Sequence, residues 1–333
     1  MKINIKRRRS RMKRYLAAGL LFLVLNLAIV TYGFSWGAAT HAFIMKRVGP
    51  LYLALNFQEM YGAMAPDLFN YDFALSNDPV LRAFTHGQPG NEGFMAVWQK
   101  AGPMVKPLAF GFVAHNDVWG ADYTAHHQSQ TLTTPADFPS IPGVDPGYVT
   151  IKALALNSDP VMNGYLVAVG LDNSVPEQFK LRLDICENLV ESAGDLIIKK
   201  VDPTIGSQII SSVVLRNQNF PDLLIKALDN PDYNQVIVKD ETHLRRKMLQ
   251  YGAILTLPER ETIKVLSEEM AWLGVEYLKQ VASLDVPLEQ AKQISEYGIK
   301  KALQLCASDY MNEIRKTIEL VRTELRNRNI RYQ

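Results

Sequence analysis

Five of the six histidines in this 333-residue chain, His41, His86, His115, His126 and His127, fall within about one quarter of its length, with Asp67, Asp117 and Asp122 interleaved among them. Imidazole nitrogen and carboxylate oxygen are the ligands that zinc takes where thiolates are absent, each at roughly 2.0–2.2 Å from the ion. One histidine alone is more often a hydrogen-bonded structural residue. The crowding of five with interleaved aspartates points to metal.

The densest piece is GFVAHNDVWGADYTAHH, from Gly111 to His127. Asp122 and His126 are four residues apart, a spacing that puts both on one side of a helix. His115 lies seven residues before Asp122, and on a regular helix two turns would separate their Cα atoms by roughly 10 Å. That is long for one ion. Either the helix breaks near Gly120 or a second metal lies between them. His127 reads as the neighbour of a ligand, since adjacent helical positions diverge by about 100°. A second acidic group sits in RLDICENLVESAGDLIIKK, where Glu187, Glu191 and Asp195 recur every four residues. Three like charges along one helix face repel unless water or a cation neutralises them.

The elements that position these residues are helices. Apolar residues recur at helical spacing over 38–48, 51–62, 92–101, 104–127 and 176–200, and strand-like alternation is scarce, which predicts an all-α fold. The stretch QSQTLTTPADFPSIPGVDPG, Gln128 to Gly147, is rich in Pro, Gly, Ser and Thr and reads as a long loop, either a wall beside the site or a plain surface excursion. Three regions follow: an export signal or anchor over 1–35, a ligand-bearing core over 36–202, and a helical C-terminal region over 203–333. The last region is amphipathic and poor in chemical residues; His243, in KDETHLRR, reads as part of a solvated face.

The first 35 residues hold eight Lys or Arg and no acid, followed by an apolar run from Tyr15 to about Val30. This is the pattern of a secretory signal, with Gly33 and Ser35 placed for cleavage before Trp36, or of an uncleaved membrane anchor. Without it, 28 basic residues face 34 acidic ones, a formal −6. An acidic body argues against binding a long nucleic acid. There is no Gly-rich phosphate loop and no Ser-centred nucleophile motif, and two cysteines, Cys186 and Cys306, are too few for a disulfide framework.

In order along the chain, WGAATH (Trp36 to His41), APD with Asp67, FTHG with His86, the block of His115, Asp122 and His126, and an E-x-x-x-E segment resemble the zinc-dependent phospholipase C family over residues 36–200. The resemblance implies a multi-helical core holding up to three zinc ions. It assigns Trp36, through its free amine and carbonyl, and His41 to one zinc. Asp122 would bridge to a second zinc held by His86 and His115, with Asp67 as a ligand or as the carboxylate that orients and deprotonates water. His126 would begin the third site, completed by Glu187 and Glu191. At the position of Glu187 the family has a histidine, so this site is richer in hard oxygen donors.

The implied activity is hydrolysis of a phosphodiester by metal-activated water, with a phospholipid headgroup as the leading substrate and a membrane surface as a partner. The run LFNYDF, Leu68 to Phe73, would either border a headgroup pocket by cation–π contact or belong to the core. Two rivals stand beside this reading: a single-strand nuclease or phosphatase on the same metals, and an anchored helical binding protein without turnover.

Overall fold

The computed structural model describes residues 37–49, 53–72, 75, 78–88, 90–140 and 144–332. The export segment 1–35 and Trp36 lie outside the described residues. What is described belongs to one compact, all-α unit, and the only extended pairing among the described residues is an isolated bridge between Gln88 and Asn91. No helix among the described residues is long and apolar enough to cross a membrane.

The half with the candidate ligands runs through α1 (Ala38–Val48), α2 (Leu53–Met64), a 3-10 segment (Ala65–Tyr71), α3 (Pro79–Thr85), α4 (Met95–Lys100), α5 (Lys106–His115), a π turn (Tyr123–His127), α6 (Tyr148–Asn157), α7 (Pro160–Ala168) and α8 (Pro176–Val201). Two of these start in the same way. Asp78 and Asp159 each accept backbone N–H groups of the first turn, and a proline with no N–H to satisfy occupies the next position. The short helices α3, α6 and α7 have no signal in the periodicity because their apolar residues do not form one clean stripe.

The expected helix over 104–127 is two pieces. It ends at His115, where the Asn116 side chain accepts from the backbone N–H of Val118, Trp119 and Gly120, at 2.8, 2.9 and 3.2 Å. A side-chain amide that satisfies three successive donors replaces the helical ladder and turns the chain back on itself. Gly120 then packs on the carbonyl of His115 with no room for a Cβ. The break near Gly120 is thus real, and it lets Asp122 return to His115.

Helices α2 and α5 cross closely because both carry glycine at the contact. A Cβ on Gly62 would overlap the carbonyl of Leu108, and one on Gly111 the carbonyl of Glu59. Phe112 and Tyr61 pack edge-on against Phe220 beneath the crossing. Leu68 and Phe69 are buried at 0 and 3% exposure, so this part of LFNYDF is core rather than a pocket border; Phe73 lies outside the described residues.

The C-terminal helices are α9 (Ile205–Leu215), α10 (Phe220–Leu228), α11 (Asn234–Thr256), α12 (Glu259–Ala282), α13 (Leu288–Cys306) and α14 (Tyr310–Asn327). They reach into the half with the candidate ligands through buried polar contacts. Tyr61 donates to Glu241 at 2.8 Å, Tyr277 to Asp184 at 2.7 Å, and the hydroxyls of Thr124 and Thr317 meet at 2.8 Å. Glu313, fully buried on α14, accepts from Gln130 N–H at 2.7 Å and from the hydroxyls of Ser129 and Thr131, so the start of the long loop is pinned to the C-terminal region.

Candidate metal centre

Five elements converge on one buried point. His41 comes from the first turn of α1, Asp67 from the 3-10 segment, His86 from the residue that ends α3, His115 from the last position of α5, and Asp122 from the residue entering the π turn. His41, His115 and Asp122 are at most 1% exposed, and His86 and Asp67 are 6 and 8% exposed. The two oxygens of Asp122 face different histidines. Oδ1 lies 3.1 Å from Nε2 of His41, while Oδ2 lies 2.9 Å from Nε2 of His115 and 3.9 Å from Nε2 of His86. Asp67 Oδ1 completes the second set at 3.4 Å from His86 and 3.7 Å from His115.

Hydrogen bonds fix the tautomers of two rings. Nδ1 of His115 meets the carbonyl of Ala63 at 2.8 Å, and a carbonyl can only accept. Nδ1 of His86 meets Thr85 Oγ1 at 2.7 Å, and that hydroxyl already gives its hydrogen to the carbonyl of Leu81, so it too must accept. Both rings therefore carry a proton on Nδ1. In the neutral imidazole each Nε2 is a lone pair, and what it faces is carboxylate oxygen, also an acceptor. Such an arrangement needs a cation between the groups, either a second proton or a metal. Orientation of a ligating imidazole through the opposite N–H is the usual support of a metal site.

The separations suit a metal. Two ligands roughly 2.0–2.1 Å from a tetrahedral zinc lie roughly 3.3–3.4 Å apart, and the Nε2-to-oxygen distances in the two sets run from 2.9 to 3.9 Å. Among the described residues the ligand atoms gather in two groups of three, His86 with His115 and Asp122, and His41 with Asp67 and His115, the atoms of each group lying within 4.8 Å of one another. His41 and the other oxygen of Asp122 supply two donors to a neighbouring position.

Charge in this pocket is strongly coupled. Burial pushes the carboxyl of Asp122 upward, but His115 and His41 outweigh it and hold the group well below the carboxylate range. Burial pulls His115 down, and Asp122 and Asp67 reverse this, raising it to about 9. His41 goes the other way: burial, then repulsion from His115, whose ring stacks on it at 4.2 Å, lowers it. Without a metal, the proton on His115 does the neutralising.

The third set is looser. His126 Nε2 is buried with no hydrogen-bond partner among the described residues and sits 3.9 Å from Oε1 of Glu191. Glu187, buried on the same helix, accepts from Thr150 at 2.7 Å, and burial raises its pKa despite the attraction of His126. The π turn, closed by a bond from Gln128 N–H to the Tyr123 carbonyl, replaces the regular helix on which Asp122 and His126 would share a face. His126 faces Glu191 on α8. His127 points elsewhere, to Asp145 at 2.7 Å. His243 belongs to neither of the His/Asp groups whose ligand atoms cluster.

Asp195, the third acid of the stripe, does not join the cluster. It is fully buried and accepts from the backbone N–H of Ala39 and Thr40, from Thr40 Oγ1, and from the hydroxyl of Tyr251. Sequence reasoning missed this, together with Thr85 and the Ala63 carbonyl that orient the histidines, because such partners are brought in by packing and have no spacing signal. Compared with protein-family models, with curated proteins and with solved structures, the chain matches none.

Proposed function

We propose that this protein is a zinc-dependent hydrolase of phosphodiester bonds, of the phospholipase C type. The observation that carries the reading is the Asp122 carboxylate, fully buried, with one oxygen toward His41 and the other toward His86 and His115. A carboxylate shared in this way is suited to bridge two ions, and a centre of several ions is suited to a phosphodiester. The donor set of two imidazoles and two carboxylates fits zinc.

Zinc would be held by His86, His115, Asp67 and Asp122 at one position and by His41, Asp122 and the Trp36 amine at the next. His126, Glu191 and Glu187 would hold the third. The chemistry zinc supplies when bound is Lewis acidity, which lowers the pKa of water and offsets charge on the phosphate. The protein's own part is to hold the donors. Thr85 and the Ala63 carbonyl keep Nε2 of His86 and His115 turned inward, and Asn70 donates to Asp67 Oδ1 at 2.9 Å, fixing that carboxylate. Asp67 is the group we assign to orient water and take its proton, since at 8% exposure it is the less buried of the two carboxylates, Asp122 being fully buried. A phospholipid is the proposed substrate, in an exported or membrane-anchored setting.

The test is metal content and turnover on one sample. The mature protein is expected to carry zinc and to release the headgroup from phosphatidylcholine, with loss of both on chelation. Turnover of single-stranded DNA instead would move the substrate assignment to nucleic acid, and a metal-free, inactive protein would refute the reading.

A further inference from the structure

We propose that Asp195 is a positioning residue for the metal centre: from helix α8 it clamps the first turn of α1 so that His41 is held against Asp122. The inference rests on the metal reading above and extends it to a residue outside the ligand set. Gly37, which precedes α1, has no side chain to cap the helix. The unsatisfied N–H groups at a helix start need an acceptor, and a carboxylate there also complements the helix dipole. Asp195 supplies it from 156 residues away. Its Oδ2 accepts from Ala39 N–H at 2.9 Å and Tyr251 OH at 2.6 Å, and its Oδ1 accepts from Thr40 N–H at 2.8 Å and Thr40 Oγ1 at 2.6 Å.

The clamp extends one residue further. Because Thr40 Oγ1 gives its hydrogen to Asp195, the hydroxyl of Tyr310, 2.6 Å away, donates to Thr40. A Cβ on Gly37 would overlap the Asp195 carboxylate, so glycine is what lets the chain lie directly on it. His41 is the next residue after Thr40, and its Nε2 is 3.1 Å from Asp122 Oδ1. Ligating groups must be held to within about 0.5 Å of their working geometry. Asp195 does this for the one ligand that comes from α1. The same helix carries Glu191 one turn earlier, roughly 6 Å along the axis, so α8 sets the spacing between the His126–Glu191 pair and the helix bearing His41.

The experiment counts zinc per folded mature chain beginning at Trp36, after dialysis against a weak chelator, in the parent protein, Asp195→Asn, His41→Ala and the double variant. Asp195→Asn is expected to hold one zinc at least tenfold more weakly while keeping the others, and the double variant to lose no more than His41→Ala. Full zinc in Asp195→Asn with only a lowered melting temperature would make the residue merely structural and overturn the proposal, leaving the metal reading intact. Loss of every zinc together also overturns it. A parent protein without zinc refutes both. Should Asp195→Asn not fold, Tyr251→Phe removes one of the four donors, and a single zinc is then expected to weaken roughly 2- to 10-fold; no change in any zinc overturns the proposal.

Discussion

If a proton on His115 occupies the place of a metal, metal uptake must expel it. His115 titrates at about 9, so at pH 7 about one molecule in a hundred has the neutral imidazole a metal needs. The site holding His115 should bind zinc roughly 100-fold more weakly at pH 7 than above pH 9, equivalent to about 3 kcal/mol. Affinity should climb about tenfold per pH unit in between. His41, held below its ordinary value of 6.5, stays neutral there and adds nothing. The same shift acts on folding. A histidine raised from 6.5 to about 9 stabilises the metal-free protein fully below pH 6.5, and that contribution, about 3 kcal/mol, is lost as pH rises through 9. Calorimetric titration in buffers of different ionisation enthalpy measures the released proton directly. His115→Gln should abolish that release. Zinc binding whose strength is unchanged from pH 6.5 to 8.5, with no proton released, would refute the reasoning.

Glu59 gives a second pH signature. Burial raises it from 4.5 to about 8, so its folded form keeps a proton that the unfolded chain loses, and stability should fall from pH 4.5 to 8. Glu59→Gln should flatten that decline in denaturant melts, by up to about 4 to 5 kcal/mol across the window. Asp122→Ala should cost two zinc equivalents and at least 100-fold in turnover, whereas His243→Ala should leave zinc content and rate alone; metal analysis beside a headgroup-release assay checks both. Glu187→His should raise zinc occupancy at the site with His126 and Glu191, because imidazole suits zinc better than another carboxylate; a drop in zinc and rate would favour a harder ion there. Amino-terminal sequencing of exported protein should find Trp36 first, and an intact, fully metallated and active chain would exclude its amine as a ligand.

Much of the centre is legible in the order of residues alone. A candidate ligand is recognised by residue type, and imidazoles interleaved with carboxylates stand out along the chain: His41, Asp67, His86, His115 and Asp122 do come together. The all-α class is legible as well, since helical periodicity is a local property. The seven-residue gap from His115 to Asp122 even signals a break, because a straight helix could not bring the two to one ion. What the sequence does not determine by itself is everything set by contacts between distant segments. That Asp195 caps α1 while Glu191, one turn earlier on the same helix, faces His126 depends on how α8 is rotated against α1, and a stripe of three equivalent acids carries no record of it. The tautomers of His86 and His115 depend on a threonine hydroxyl and a carbonyl delivered by packing. The Ala63 carbonyl reaches His115 only because two glycines let α2 and α5 approach, so the chemistry of that ring is decided by backbone separation, a quantity that exists only once the chain is folded.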